Sequence, residues 1–266
     1  MSIESADDWK GLRRAGRIAQ MALDALEAGV RPGVSTAELD AVAAGVFAEH
    51  GAHSAPAMVY GFPGTVLISV NDEVVHGVPG PRRLAEGDLV KLDVTVEKDG
   101  YIADAARSVI LGPGSDVATR LAACARDAFD AALTVARAGV KVNVISRAVE
   151  STVRARGFTV VSGLTGHGVG RTIHEPPSVP NQYDPWQRDV LTDGLVLTIE
   201  PIISAGSARI RQDRDGWTTR TSDGSWAAHH EHTIVITRDR PIVLTEGPPR
   251  GGDDDGPAKA GHYIRG

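Results

Sequence analysis

The sequence predicts one domain that mixes helices with antiparallel strands, in which two related halves enclose a single site. Three features carry this expectation. A pair of helical segments leads into strand-rich sequence twice along the chain. The junction Ala28-Gly29-Val30-Arg31-Pro32-Gly33-Val34 returns 110 positions later as Ala138-Gly139-Val140-Lys141-Val142-Asn143-Val144. Single carboxylates also interrupt apolar strands in both stretches. A duplicated helix-pair and strand unit folds as a pseudo-twofold domain with its site between the halves. Chance is the competing reading of the junction, because Ala, Gly and Val are common in this chain.

The elements follow in order. Residues 8–29 carry Leu12, Ile18, Met21, Leu23 and Leu26, whose three-residue steps at 18–21 and 23–26 fit an amphipathic helix. Gly29 supplies its stop signal. Ser35-Thr36-Ala37-Glu38 offers N-caps for a second helix running to about His50, where Gly51 ends it. Residues 66–70, 89–96 and 101–111 read as strands, with Lys98-Asp99-Gly100 turning the chain between the last two. Residues 116–136 and 143–156 return to helix. From Glu246 onward the chain is rich in Gly, Pro and Asp and has little apolar surface to bury. It is expected to be a flexible tail, leaving 1–245 as one folded domain.

Composition narrows the partners. With 266 residues and 42% hydrophobic side chains, the chain can bury a sizeable core. Its net charge of −6 gives no basic face for nucleic acid or anionic membrane. The one cysteine, Cys124, cannot form an intrachain disulfide, which fits a reducing compartment. No window approaches the roughly 20 apolar residues of a membrane span. The first residues lack the apolar run of a signal peptide. A cytoplasmic monomer is expected.

The chemistry-bearing residues begin in the hairpin. Asp93 sits among Leu92, Val94 and Val96, and Asp104 lies on the returning strand. A turn centred near residues 98 and 99 sets the two directly opposite, with Cβ atoms about 4.5–5.5 Å apart. Carboxylates that close repel when ionised, so they share a proton or hold a cation between them. Two metal ions about 3.5–4 Å apart would suit them. The plainer alternative, one turn aspartate and one solvated aspartate, fits Asp93 poorly because it lies well away from the turn.

Further along, Thr165-Gly166-His167-Gly168-Val169-Gly170-Arg171-Thr172-Ile173-His174 surrounds two histidines with glycines, which let the backbone approach a ligand. Its spacing is not that of a dinucleotide-binding loop. Glu200 closes the apolar run 195–199 and is held extended by Pro201. Glu231 opens another apolar strand. A buried carboxylate in such a setting needs a partner. Four carboxylates with imidazole, and no thiolate, suit divalent ions such as Mn, Fe, Co or Zn rather than a structural zinc site.

The ordered set resembles type I methionine aminopeptidases of the pita-bread fold. The matching pieces are NDEVVHGVPG (71–80), GDLVKLDVTVEKDGYIADAARS (87–108), TGHGVGRTIHEPP (165–177), LTIEPII (197–203) and DGWTTRTSDGSWAAHHEHTIVIT (215–237). The resemblance implies an α+β fold with a curved antiparallel sheet and helices on its outer face. It implies a metalloaminopeptidase that removes the initiator methionine from nascent polypeptides by hydroxide attack on the first peptide bond, with a small second residue preferred. Two divalent ions are implied. Asp93 would chelate one ion, Asp104 and Glu231 would bridge both, and His167 and Glu200 would complete the other, with Glu200 also a general base. His76 and His174 would contact the substrate amine and amide. Phe62 and Trp217 would line the methionine pocket, while Val59 and Leu67 stand where relatives often carry Tyr and Cys. His229 and His230 replace the more usual Gln-Tyr and are read as wall residues, with a further metal ligand as the alternative. Transient association with the ribosome is a further implied contact. Two competing readings share the fold: an Xaa-Pro peptidase, which usually carries an additional N-terminal domain, and a non-catalytic binding protein, which typically lacks some ligands.

Overall fold

Two helix pairs pack against one large antiparallel sheet in the computed structural model, which describes residues 1–247. In chain order the elements are α1 (Ala6–Gly29), α2 (Thr36–His50), β1 (His53–Ser54), α3 (Ala55–Tyr60), β2 (Leu67–Val70), β3 (Leu89–Lys98) and β4 (Tyr101–Ile110). There follow α4 (Asp116–Val135), α5 (Val142–Ala155), β5 (Thr159–Val160), β6 (Thr165–Gly168), β7 (Glu175–Pro180), β8 (Val196–Ile199) and β9 (Ile202–Ser204). The last are β10 (Ile210–Gln212), β11 (Thr219–Thr221), β12 (Ala227–His229), β13 (Glu231–Val235) and β14 (Ile242–Val243). The main sheet runs β1-β3-β4-β13-β8-β6-β7, with β2 added to β3 and β14 to β13. Among the described residues no helix is long and apolar enough to cross a membrane. The tail expected from residue 246 lies, from residue 248 on, outside the described residues.

Local chemistry sets the helix ends. The Ser5 hydroxyl accepts the Asp8 N–H at 3.1 Å and starts α1. Ser35 and Glu38 form a reciprocal capping box at α2. Gly51 ends α2 in the left-handed region. The buried stripe of α1 is Leu12, Ala15, Ile18, Ala19, Ala22, Leu23 and Leu26. Met21, counted with that stripe from the sequence, is exposed instead. Small alanines complete the face because α1 lies close on the sheet.

Side chains alternate across the strands. Leu92, Val94 and Val96 pack with α1 and α2, while Leu197, Ile199 and Ile234 pack with α4 and α5. Each helix pair therefore covers the outer face of its own half of the sheet. The opposite face carries Asp93, Asp104, Glu200 and Glu231.

The halves repeat, but in a different register from the one read in the sequence. The Gly33 N–H donates to Leu84 O at 2.8 Å, and the Leu84 N–H returns to Val34 O at 2.8 Å. Gly139 donates to Leu191 O at 2.9 Å, and Leu191 returns to Val140 O at 2.8 Å. Both glycines have positive φ, 82° and 88°. Gly33 thus matches Gly139, an offset of 106 rather than 110. The four-residue difference is about one helical turn, which apolar periodicity cannot distinguish. The sequence match paired Gly139 with a helix-terminal glycine, Gly29, instead of the left-handed one.

Candidate metal centre

The β3–β4 hairpin turns on Asp99-Gly100, with φ of 52° and 79°. Two positive φ values match the right-handed twist of a tight hairpin. Lys98 pairs with Tyr101, Thr95 with Asp104, and Asp93 with Ala106. This corrects the expected direct pairing of Asp93 with Asp104. The turn is centred between residues 99 and 100, so the two aspartates are diagonal neighbours. A shift of two preserves the face, and both side chains still line one cavity.

The ladders continue across the sheet. Ala106 pairs with Glu231, and the β13–β8 ladder from His232–Ile199 brings Glu231 beside Glu200. Asp93, Ala106, Glu231 and Glu200 therefore form one transverse row. Thr95, Asp104, Thr233 and Thr198 form the next row. The second row holds the carboxylates in place. Thr95 Oγ1 donates to Asp104 Oδ1 at 2.9 Å, and Thr198 Oγ1 donates to Glu200 Oε1 at 3.2 Å. The Asp104 N–H donates to Thr233 Oγ1 at 2.8 Å, and that hydroxyl donates to Asp104 O at 2.8 Å. Thr95 and Thr198 escaped sequence reading, although correct centring of the Asp-Gly turn would have set Thr95 opposite Asp104.

His167 comes from β6. Its N–H donates to Thr198 Oγ1 at 3.2 Å and its Nε2 lies 3.6 Å from Glu200 Oε1. The flanking glycines allow this approach. A Cβ on Gly166 would sit 2.6 Å from Thr198 O, and one on Gly168 would sit 2.3 Å from Pro176 O. His76 lies in the loop after β2 with a φ of 61°, a left-handed conformation uncommon outside glycine. His174 lies in the turn before β7. Glu175 ties that turn down: its Oε1 accepts the N–H groups of Arg171 and Thr172 at 2.7 and 2.8 Å, and its Oε2 accepts the Met1 amine.

All five expected ligand residues, with His76 and His174, line one cavity of about 420 Å³. Phe62, Leu67 and Trp217 line it too, with Phe62 and Trp217 edge-on at 5.2 Å between ring centroids. Val59 does not. It is 54% exposed at the end of α3, and the next residue, Tyr60, faces the cavity instead. The helix ends there at Gly61, so a one-residue step changes which side chain points inward. The pair His229-His230 also divides. His229 is buried in the cavity, 3.3 Å from Glu231 Oε2, whereas the His230 ring packs on Phe129 at 5.4 Å.

The electrostatics call for a cation. Burial, then the neighbouring Asp104 and Glu231, push the Asp93 carboxyl well above its usual range. Burial and Glu231 do the same to Asp104, and burial with the three other carboxylates does so to Glu200. Burial lifts Glu231 to about 8. His76, His167 and His229 are pushed down to about 4 by burial and are neutral at pH 7, the form in which an imidazole can ligate a metal or hydrogen-bond a substrate. Among the described residues neither Lys nor Arg lines the cavity. Among the described residues, Glu231 Oε1 and both His229 ring nitrogens are buried without a hydrogen-bond partner. Ligand atoms fall into two groups, each within 4.8 Å: Asp93, His229 and Glu231, and Asp104, His167 and Glu231. Two groups sharing Glu231 fit hard or borderline divalent ions.

The profile of metallopeptidase family M24 matches residues 10–238. The chain belongs to metallopeptidase family M24. Among its M24 relatives, methionine aminopeptidase 2 of Bacillus subtilis is 43% identical over 248 residues, spanning 92% of this chain and 100% of that protein. The methionine aminopeptidase of Escherichia coli is 40% identical over 248 residues, spanning 92% of this chain and 94% of that one. The crystal structure of the Thermotoga maritima methionine aminopeptidase superposes with a TM-score of 0.90 at 33% identity, covering 93% of this chain and all of that one. A prolidase from Pyrococcus horikoshii shares the fold at TM-score 0.75 and 22% identity, and only 64% of that chain is covered. The α+β pita-bread architecture is therefore the M24 fold.

Proposed function

We infer that this chain is a metal-dependent methionine aminopeptidase that removes the N-terminal methionine from polypeptides. One observation carries the reading. A dense carboxylate and imidazole cluster opens onto an apolar wall of Phe62, Leu67 and Trp217 within one cavity. The cluster suits hydrolysis and the wall suits an unbranched apolar side chain. Full-length similarity to methionine aminopeptidases supports the same reading.

Asp93 would hold one ion, Asp104 and Glu231 both, and His167 and Glu200 the other, with His229 beside the first. When bound, such ions polarise the scissile carbonyl and make water a competent nucleophile at neutral pH. The protein's own groups do the rest. The carboxylates orient the free amine of the substrate, so only a chain end binds. Glu200, hydrogen-bonded to Thr198, accepts a proton from water and passes it to the departing amine. Neutral His76 and His174 donate hydrogen bonds to the amide as negative charge develops on its oxygen. Nascent chains with a small second residue are the substrates, and the cytoplasm is the compartment.

The test is direct. Protein reconstituted separately with Co, Mn, Fe and Zn is given Met-Ala-Ser and Ala-Pro peptides. Release of methionine from the first supports the reading. Preference for Ala-Pro would make it an Xaa-Pro peptidase, and no release by metal-replete protein would favour a binding role.

A further inference from the structure

We propose that Tyr60 is a positioning residue that fixes the tautomer of His174, leaving that imidazole a hydrogen-bond donor toward the substrate. The proposal rests on the aminopeptidase reading only in giving His174 the substrate amide as its target. Tyr60 Oη lies 2.6 Å from His174 Nδ1, with ring centroids 5.9 Å apart. Among the described residues nothing else hydrogen-bonds the Tyr60 hydroxyl or the His174 ring. Both side chains line the cavity.

The direction of this bond follows from acid–base chemistry. A neutral imidazole carries one proton, on either Nδ1 or Nε2. A phenol is a stronger acid than a neutral imidazole N–H, and an imidazole nitrogen is a stronger base than a phenol oxygen. Tyr60 therefore donates and Nδ1 accepts, which leaves the ring proton on Nε2. The opposite tautomer would present an acceptor to the substrate carbonyl and repel it.

The surroundings keep the ring where this matters. The His174 ring packs on His167 with centroids 4.3 Å apart. Its backbone turn is pinned by the two N–H bonds to Glu175. Tyr60 is placed equally firmly, as the last residue of α3 before the left-handed cap at Gly61. Tyr60 belongs to the first half of the chain and His174 to the second. Their bond therefore spans the cavity between the halves.

The test uses Tyr60→Phe, which removes only the hydroxyl of a half-exposed side chain. In metal-free protein with 15N-labelled histidine, long-range 1H–15N NMR separates the two tautomers. Wild-type His174 should be the Nε2–H form, and Tyr60→Phe should be a mixture. With metal-loaded protein and Met-Ala-Ser, Tyr60→Phe should lower kcat about tenfold with KM within about twofold, since one lost hydrogen bond to the transition state is of that order. In a His174→Gln background, where the amide donor needs no tautomer, Tyr60→Phe should cost less than twofold. An Nδ1–H tautomer in the wild type, an unchanged tautomer in Tyr60→Phe, or equal losses in both backgrounds would overturn the proposal. Should the wild type release no methionine, the aminopeptidase reading falls and the tautomer measurement still decides this one.

Discussion

Ala106 lies between Asp93 and Glu231 in the carboxylate row, and its lack of a side chain beyond Cβ leaves room for a cation. Ala106→Leu should fold yet retain little metal after dialysis, measured by elemental analysis, while Ala106→Ser should retain it. Full metal content in the leucine variant would show that the row does not frame the ions. His76 makes a different demand. On the proposed reading its ring faces the substrate amide rather than an ion, so His76→Ala should keep its metal and lower kcat by about 10²–10³-fold, the usual cost of one lost oxyanion donor. Loss of metal in that variant would make His76 a ligand. At this scale the candidate ligands were legible as buried charges, because a charge inside an apolar strand stands out. Tyr60 was not, since a tyrosine at a helix end looks like surface until its hydrogen bond is seen.

The two helix pairs are related, and Ser5 and Ser115 cap their first helices alike, but the caps of the second helices differ. Ser35 closes a capping box at α2, whereas the matched Lys141 makes no side-chain cap at α5. Ser35→Ala should destabilise the protein by about 1 kcal/mol, and Lys141→Ser should stabilise it by a similar amount. For a domain of this size that is a shift of about 2–4 °C in Tm by calorimetry. Equal responses at both sites would mean that tertiary packing, not capping, sets the helix ends. Long elements were legible because ten or more residues display a period. Registers were less so. The hairpin was misplaced by two residues and the repeat by four, and both slips preserve the apolar pattern that betrayed the elements. The short strands β9 to β12 hold three residues each, too few to show alternation.

For the molecule as a whole, the carboxylate cluster couples folding to protons and metal. A carboxyl whose pKa is raised by folding adds stability below its unfolded value and loses it as pH climbs through the folded one. For Glu231 that window runs from about 4.5 to about 8, and Asp93, Asp104 and Glu200 act in the same direction. His76, His167 and His229 oppose it only between about 4 and 6.5. Buried Lys91, lowered to about 7, opposes it at higher pH; its Nζ donates to Asn71 O and is not part of the cavity lining. Metal binds the ionised carboxylates, so the rise in Tm on adding Mn²⁺ should be larger at pH 8 than at pH 6.5. An equal or smaller rise would show that these groups carry no protons at pH 6.5.

The Asp93–Asp104 pair is joined by a bare two-residue turn, while Glu200 and Glu231 are separated by the excursion that carries Trp217 and His229. The same structural phrase is thus written once without ornament and once with an insertion. On the proposed reading, the excursion adds Trp217 to a wall that Phe62 and Leu67 supply from the first half. Diversifying residues 205–226 should therefore retune which side chain is accepted, while β3, β4, β6, β8 and β13, which carry or adjoin the proposed ligands, stay as they are. That makes the scaffold a ready starting point for aminopeptidases of new preference.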